Sequence, residues 1–266
     1  MSFHDRYGQW AVVLGASEGL GEAYAHGIAE RGLNVVVAAR RAELCQKVAR
    51  DVAARHGVET HAVTLDLAAA NFLDALRAVT DPLDVGLVVY NGAAGYTGPF
   101  KNQGFESLQR IVAVNCLGPA LICEHFGPRM LARKSGGIVL MASAAGLAGA
   151  AYNAAYGASK AFDIVLGEAL WAEWRDQGVD VLSVIGPAID TPNFRAAAPD
   201  DGSMPPAIAP ATVVKEAFDT LGATPSFVPG EAVRNMLTML GTLPRKQQVE
   251  AMSVAHAGFA DSSHKT

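Results

Sequence analysis

The strand-like runs in this chain are mostly apolar from end to end, and that restricts the fold more than any other feature. Trp10–Leu14 and Leu33–Ala39 are short, β-rich and apolar, and His61–Leu65 reads as a further strand. Leu87–Tyr90, Ile138–Met141 and Val179–Ile185 have the character of strands buried on both sides. Between these runs lie segments of helical spacing or length: Gly19–Arg31, the polar-faced Arg41–Arg55, Phe105–Arg133 and Tyr152–Gln177. A strand with two apolar faces has no side to give to water, so it must be covered above and below. Helices alternating with such strands do this when the strands run parallel. The pattern predicts an α/β fold, a doubly wound parallel sheet of about seven strands with helices on both faces. Ser226–Val228 would supply a last edge strand. Gly186–Pro210 carries six prolines and reads as a loop or lid, Ala211–Leu221 and Glu231–Ala255 as helices, and the tail from Asp261 as frayed.

Composition narrows the functions open to such a chain. Its 266 residues are half hydrophobic and only 18% charged, with a net charge of −5. That is ample for a core and too apolar for disorder, and the acidic balance argues against nucleic acid or an anionic membrane as partner. No linker or repeat divides the chain, so residues 1–266 are expected to form one domain. Three cysteines and an N-terminus without a signal-type pattern lead us to expect a reducing, cytoplasmic setting. Ser135–Ser159 is a charge-free run of 25 residues, long enough for a membrane span. However, 14 of the 25 are Ala or Gly, and five glycines would punctuate any helix, so a span is not expected. The seven histidines show no ligand spacing with Cys or carboxylates, so no metal is expected.

Trp10–Leu14 runs straight into Gly15-Ala16-Ser17-Glu18-Gly19-Leu20-Gly21 and then a helix. A strand, a glycine-rich turn and a helix N-terminus place backbone N–H groups where a pyrophosphate can sit. A purely structural tight turn would give the same letters. The second strand ends at Arg40-Arg41, with no acid there to bond a ribose 2′-hydroxyl. Two guanidinium groups suit a 2′-phosphate, and Ser17 could add a hydroxyl, which points to NADP(H). Glu18 is an objection, since an anion repels a phosphate.

Tyr156 and Lys160 are four apart on a helix and share a face. A phenol, which ordinarily titrates near ~10, exchanges a proton at neutral pH more readily beside an ammonium. Ser143 follows the strand Ile138–Met141, at the end of a parallel strand where open α/β sheets bind ligands. Because the surrounding run is charge-free, Lys160 is expected to act alone on Tyr156.

On these residues the chain resembles the short-chain dehydrogenase/reductase family from about Gln9 to Pro192. The resemblance implies a Rossmann-type fold, with a cofactor-binding part at about 9–135 and a catalytic and substrate-binding part at about 136–255. It places the catalytic tetrad on Asn115, Ser143, Tyr156 and Lys160, and the glycine motif on Gly15, Gly19 and Gly21. It puts Asp66-Leu67 at the adenine, Asn91 and Gly92 at the end of strand four, Pro187 and Ile189 at the cofactor, and Thr191 at the carboxamide. Leu14 stands where a Thr is usual, Tyr90-Asn91-Gly92-Ala93 replaces Asn-Asn-Ala-Gly, and Gly186-Pro187 reverses Pro-Gly.

The implied chemistry is hydride transfer between nicotinamide and a carbonyl carbon. Ser143 would hold the carbonyl oxygen and Tyr156 would act as general acid. Lys160 would assist Tyr156 and bond the nicotinamide ribose, and Asn115, a water and Lys160 would relay protons. One local detail supports the relay: Pro119 has no N–H for the Asn115 carbonyl, which frees that carbonyl and bends the helix. Gly118-Pro119 would also serve merely to bend the helix around the core.

Ala93–Tyr96, Ala144–Ala151, Ala188–Ile189 and the loop around Asn193–Phe194 should wall the substrate pocket. They are mostly small and apolar, which favours a bulky hydrophobic ketone or secondary alcohol. The cofactor half, Tyr7-Gly8-Gln9-Trp10 through Gly19 with Arg40-Arg41, is similar to NADP-dependent bacterial 7β-hydroxysteroid dehydrogenases, which suggests a hydroxysteroid. The alternatives are a 3-oxoacyl-thioester reductase, with Lys101, Arg129, Arg133 and Lys134 for an acyl carrier, or a non-catalytic NADPH sensor, in which a damaged tetrad is expected. The two long helices resemble the family's subunit contact, so a homodimer or homotetramer is expected. Cys116, Cys123, Trp171 and Trp174 read as core or interface.

Overall fold

The structure, a computed structural model, describes residues 3–197 and 207–262, the side chains of 258–262 excepted. Seven strands make one all-parallel sheet: β1 (Trp10–Leu14), β2 (Asn34–Ala39), β3 (Thr60–Thr64), β4 (Val85–Tyr90), β5 (Gly136–Ser143), β6 (Val179–Gly186) and β7 (Ser226–Phe227). Their order is β3-β2-β1-β4-β5-β6-β7. Every residue of β1, β4 and β6 is buried, as strands covered on both faces require; in β6 this includes Asp180, which accepts from Arg6 and Tyr7, and Ser183.

Alternation along each strand feeds two cores. In β1, Ala11 and Val13 enter one core, while Trp10, Val12 and Leu14 enter the other. The first lies under α1 (Phe3–Tyr7), α2 (Gly19–Ala29), α3 (Ala42–His56) and α9 (Pro210–Thr220), which contribute Tyr7, Tyr24, Val48 and Phe218. The second lies under α4 (Phe72–Thr80), α6 (Gly118–Arg133) and α7 (Ala154–Trp174), through Leu76, Ile122, Phe126 and Trp174. Each fully buried side chain of this size contributes about 1.5–3 kcal/mol. The chain leaves β1 for β2 on one side and pairs it with β4 on the other. This reversal opens a crevice at the C-terminal strand ends.

Several expectations need correcting. The sequence reading passed over α1 and α4; α4 is only nine residues long, and its apolar face rests on Phe72 and Leu76. The single helix expected over Phe105–Arg133 is α5 (Phe105–Val112), a π-helical turn (Ala113–Leu117) and α6. That stretch has the length and apolarity to cross a membrane, and half of its most apolar window is buried. The charge-free run 135–159 divides into β5, a 3-10 turn (Ala144–Gly146) and the start of α7. Glu231–Ala255 is two helices, α10 (Glu231–Gly241) and α11 (Arg245–Ser262), with the break at Thr242–Pro244, where Pro244 lacks the N–H that would continue α10. Asp261, expected in a frayed tail, lies in the last turn of α11, and the tail beyond Ser262 lies outside the described residues. Within Gly186–Pro210, α8 (Pro192–Ala197) forms, and 198–206, where much of the expected lid falls, lies outside the described residues.

Candidate active site

A cleft of about 650 Å3 opens at the C-terminal ends of the central strands. All the site residues singled out in the sequence line it except Gly21 and Asn115. The glycine turn is built on close approach. Gly15 has a φ of 78°, and a Cβ there would lie 2.6 Å from the Gly92 backbone. Gly21 stands behind the turn, where a Cβ would lie 2.1 Å from the Gly15 carbonyl, so it lets α2 pack rather than touching a ligand. Asn91 Nδ2 donates to that carbonyl at 2.9 Å. Leu14, in place of the usual Thr, is fully buried in the second core. Glu18 precedes α2 without capping it by its side chain, so the first N–H groups of the helix face the cleft without a side-chain acceptor from Glu18.

At one end of the cleft Arg41 donates to Ser17 Oγ at 2.8 Å and pairs with Glu18 at 2.6 Å. Glu18 is therefore a counter-charge that holds Arg41 beside Ser17. Asp66 accepts from the Ala68 N–H at 3.0 Å and from both terminal nitrogens of Arg110 on α5, at 3.0 and 3.2 Å. The Arg110 guanidinium holds the Asp66 carboxyl below the ordinary carboxylate range.

At the other end Ser143 closes β5, and its Oγ accepts from the Ala145 N–H at 3.2 Å, leaving the hydroxyl proton to donate elsewhere. Tyr156 lies in the first turn of α7, and its ring is bordered by Gly95, where a Cβ would sit 3.5 Å away. Lys160 Nζ is 5.9 Å from the Tyr156 ring centroid and donates to the Met141 carbonyl at 2.8 Å and to Asp163 Oδ2 at 2.9 Å. Lys160 is thus not alone: Asp163, just beyond the charge-free run, neutralises it. Asn115 is fully buried in the π-helical turn, where the Gly118 N–H reaches back to the Ala113 carbonyl and Pro119 opens α6. Its side chain clamps Ala94, accepting from the N–H and donating to the carbonyl, each at 2.8 Å, and it also donates to Ser159 Oγ at 2.9 Å.

The family model for short chain dehydrogenases matches residues 9–202. The chain belongs to this family. It is an oxidoreductase acting on CH–OH groups, and the family uses a nicotinamide cofactor. A 7β-hydroxysteroid dehydrogenase of Collinsella aerofaciens is 30% identical over 235 residues, 87% of this chain and 89% of that one. A solved 7β-hydroxysteroid dehydrogenase structure superposes with a TM-score of 0.89 at 27% identity, covering 95% of this chain and 99% of that one. The human inactive hydroxysteroid dehydrogenase-like protein 1 is 36% identical over 184 residues, 68% of this chain and 56% of that one.

In this short-chain dehydrogenase, the sequence reading missed Arg110 and Asp163. Arg110 meets Asp66 only through the fold, whereas Asp163 was signalled by its place three residues after Lys160 on an apolar helix. It also missed two hydrogen bonds from α11, Arg245 Nη1 to the Leu147 carbonyl at 3.0 Å and the Ala151 N–H to Ser253 Oγ at 2.9 Å. These tie Leu147 and Ala151 to α11, and Ala144–Ala151 is absent from the cleft lining, whereas Ala93, Ala94, Ile189, Asn193 and Phe194 are present. The reversed Gly186-Pro187 still leaves Gly186 paired with Ser143 at the end of β6, with Pro187 and Ile189 in the cleft. Trp174 packs in the core against α6, and burial pushes the Cys123 thiol up to about 12. No group of three His, Cys, Asp or Glu that could hold a metal occurs among the described residues.

Proposed function

We propose that this short-chain dehydrogenase uses NADP(H) to interconvert a bulky hydrophobic ketone and its secondary alcohol, with a hydroxysteroid as the substrate class. One observation carries the reading: Ser143, Tyr156 and Lys160 share a single cleft whose far end presents Arg40, Arg41 and Ser17. The residues fit a dinucleotide. Gly15, Gly19 and Gly92 line the cleft without side chains, Gly15 at a positive φ and packed on the Gly92 backbone as only glycine allows, and the uncapped start of α2 offers N–H donors to a pyrophosphate. Arg41, held on Ser17 and Glu18, and its neighbour Arg40 are the groups for a 2′-phosphate.

NADPH bound there supplies the hydride, and the chain supplies everything else. Ser143 donates its free hydroxyl proton to the substrate carbonyl oxygen. Tyr156 gives that oxygen its proton as general acid. Lys160 sets a positive charge beside the phenolate that forms. Asn115 fixes the wall at Ala94, and its carbonyl, which Pro119 cannot engage, is a place for a water that returns the proton to Tyr156 through Lys160. Small residues at 93–95, together with Ile189 and Pro187, support a large apolar substrate, as do the hydroxysteroid dehydrogenase relatives. Exposed Phe105 (74%), Val112 (57%) and Val165 (64%) on α5 and α7 support a homo-oligomer. The free thiols Cys45, Cys116 and Cys123 support a cytoplasmic setting.

A panel of ketones assayed with NADPH and with NADH tests the reading. Hydroxysteroid ketones should turn over faster than small ketones, and only with NADPH at low cofactor concentration. Activity confined to small ketones, or equal activity with NADH, would overturn it.

A further inference from the structure

The group the mechanism has not used is the Asp163 carboxylate. The third turn of α7 aims it inward, with its side chain 2% exposed and that of Lys160 3% exposed. Oδ2 accepts from Lys160 Nζ, while Oδ1 is buried with no hydrogen-bond partner among the described residues. A carboxylate and an ammonium this deep are tolerated as a pair and not singly. Lys160 commits two of its three protons, to Met141 and Asp163, and its remaining N–H is free for the cleft that it lines.

We propose that Asp163 is a positioning residue of the active site, the counter-ion that keeps Lys160 charged and oriented toward Tyr156. The proposal rests on the roles given above to Tyr156 and Lys160. Geometry fixes the pair from several sides. The Ser183 hydroxyl of β6 donates to the Asp163 carbonyl at 2.9 Å, and β5 holds the ammonium through Met141. The titratable groups facing the pair are Tyr156 on α7, Tyr90 on β4, Cys116 in the π-helical turn and Cys123 on α6. Burial raises the last three, and the Asp163 charge adds to each rise. Burial pushes the Asp163 carboxyl up as well, and the Lys160 ammonium alone pulls it back.

The isosteric Asp163→Asn removes the charge and keeps the shape. Without the carboxylate, Lys160 holds its proton less tightly. While Lys160 stays charged, its positive field acts on Tyr156 without opposition. Both changes deprotonate the acid form earlier, so the alkaline limb of the carbonyl-reduction profile should move down by about one pH unit or more. Asp163→Asn should lower Tm, and the double variant with Lys160→Met should recover part of that loss, because it no longer buries an unpaired charge.

An alkaline limb that stays in place while activity falls would reduce Asp163 to a packing residue and overturn the proposal. Additive Tm losses in the double variant would do the same. If Asp163→Asn fails to fold, the double variant must fold; if it fails too, the proposal is overturned. The Tm coupling is read without turnover, so it stands apart from the assignment of Tyr156, which is tested by Tyr156→Phe.

Discussion

At the scale of single residues, the cleft sorts its charges by use. In the Arg41–Glu18 pair Arg41 is exposed and Glu18 half-buried, with side chains 46% and 25% accessible, and pairs open to solvent add only about 0–1 kcal/mol to stability. Its position beside Ser17 explains it better than stability does. Arg41→Ala should leave Tm unchanged, raise the Kd for NADPH about tenfold or more, and barely alter NADH binding. Isothermal titration with both cofactors checks this, and equal losses for the two would contradict the 2′-phosphate assignment. Arg40 and Arg41 were legible because strand end and charge coincide in sequence. Arg110 was not, since its meeting with Asp66 depends on how α5 returns to the sheet.

At the scale of elements, α2 and α3 are fastened by a pair of imidazoles. His26 Nδ1 lies 3.0 Å from His56 Nε2, a contact that needs one shared proton. Burial first, then the neighbouring His56, lowers the His26 pKa below the ordinary histidine value. The folded state therefore takes up the further proton that charges His26 at lower pH than the unfolded chain does. The stabilisation is complete above the unfolded value of about 6.5 and is lost as pH falls through the folded one. Tm measured from pH 7 to pH 5 should fall, and His26→Gln should flatten part of that slope; an unchanged slope would show that the pair does not contribute.

Legibility at this scale follows length and periodicity. β1 and β4 announced themselves because a strand covered on both faces is apolar throughout, and β6 did so although it carries buried Asp180 and Ser183. The short α4 and the break before α11 did not, since one depends on two buried apolar side chains and the other on a single proline. The π-helical turn was visible only as a proline that could not serve Asn115.

At the scale of the whole molecule, the sheet order carries residues from Gly15 to Thr191 to one crevice, and the chemistry depends on that convergence. The proposed tetrad could be read from the sequence as letters and spacing; that Asn115 clamps Ala94 from behind the wall could not, because it is a contact between elements, and that Lys160 and Asp163 are buried together could not, because their burial depends on the packing of α7. Family membership alone does not secure turnover, as the inactive human relative shows. On the proposed reading, what distinguishes an enzyme from a cofactor-binding relic is the proton that Tyr156 would supply. The most direct measurement is the NADPH-dependent reduction rate of Tyr156→Phe on a hydroxysteroid ketone, taken together with its NADPH affinity. The account predicts a fall of about 10²-fold or more in rate with cofactor binding intact; a variant that still reduces the ketone at near the parent rate would contradict it.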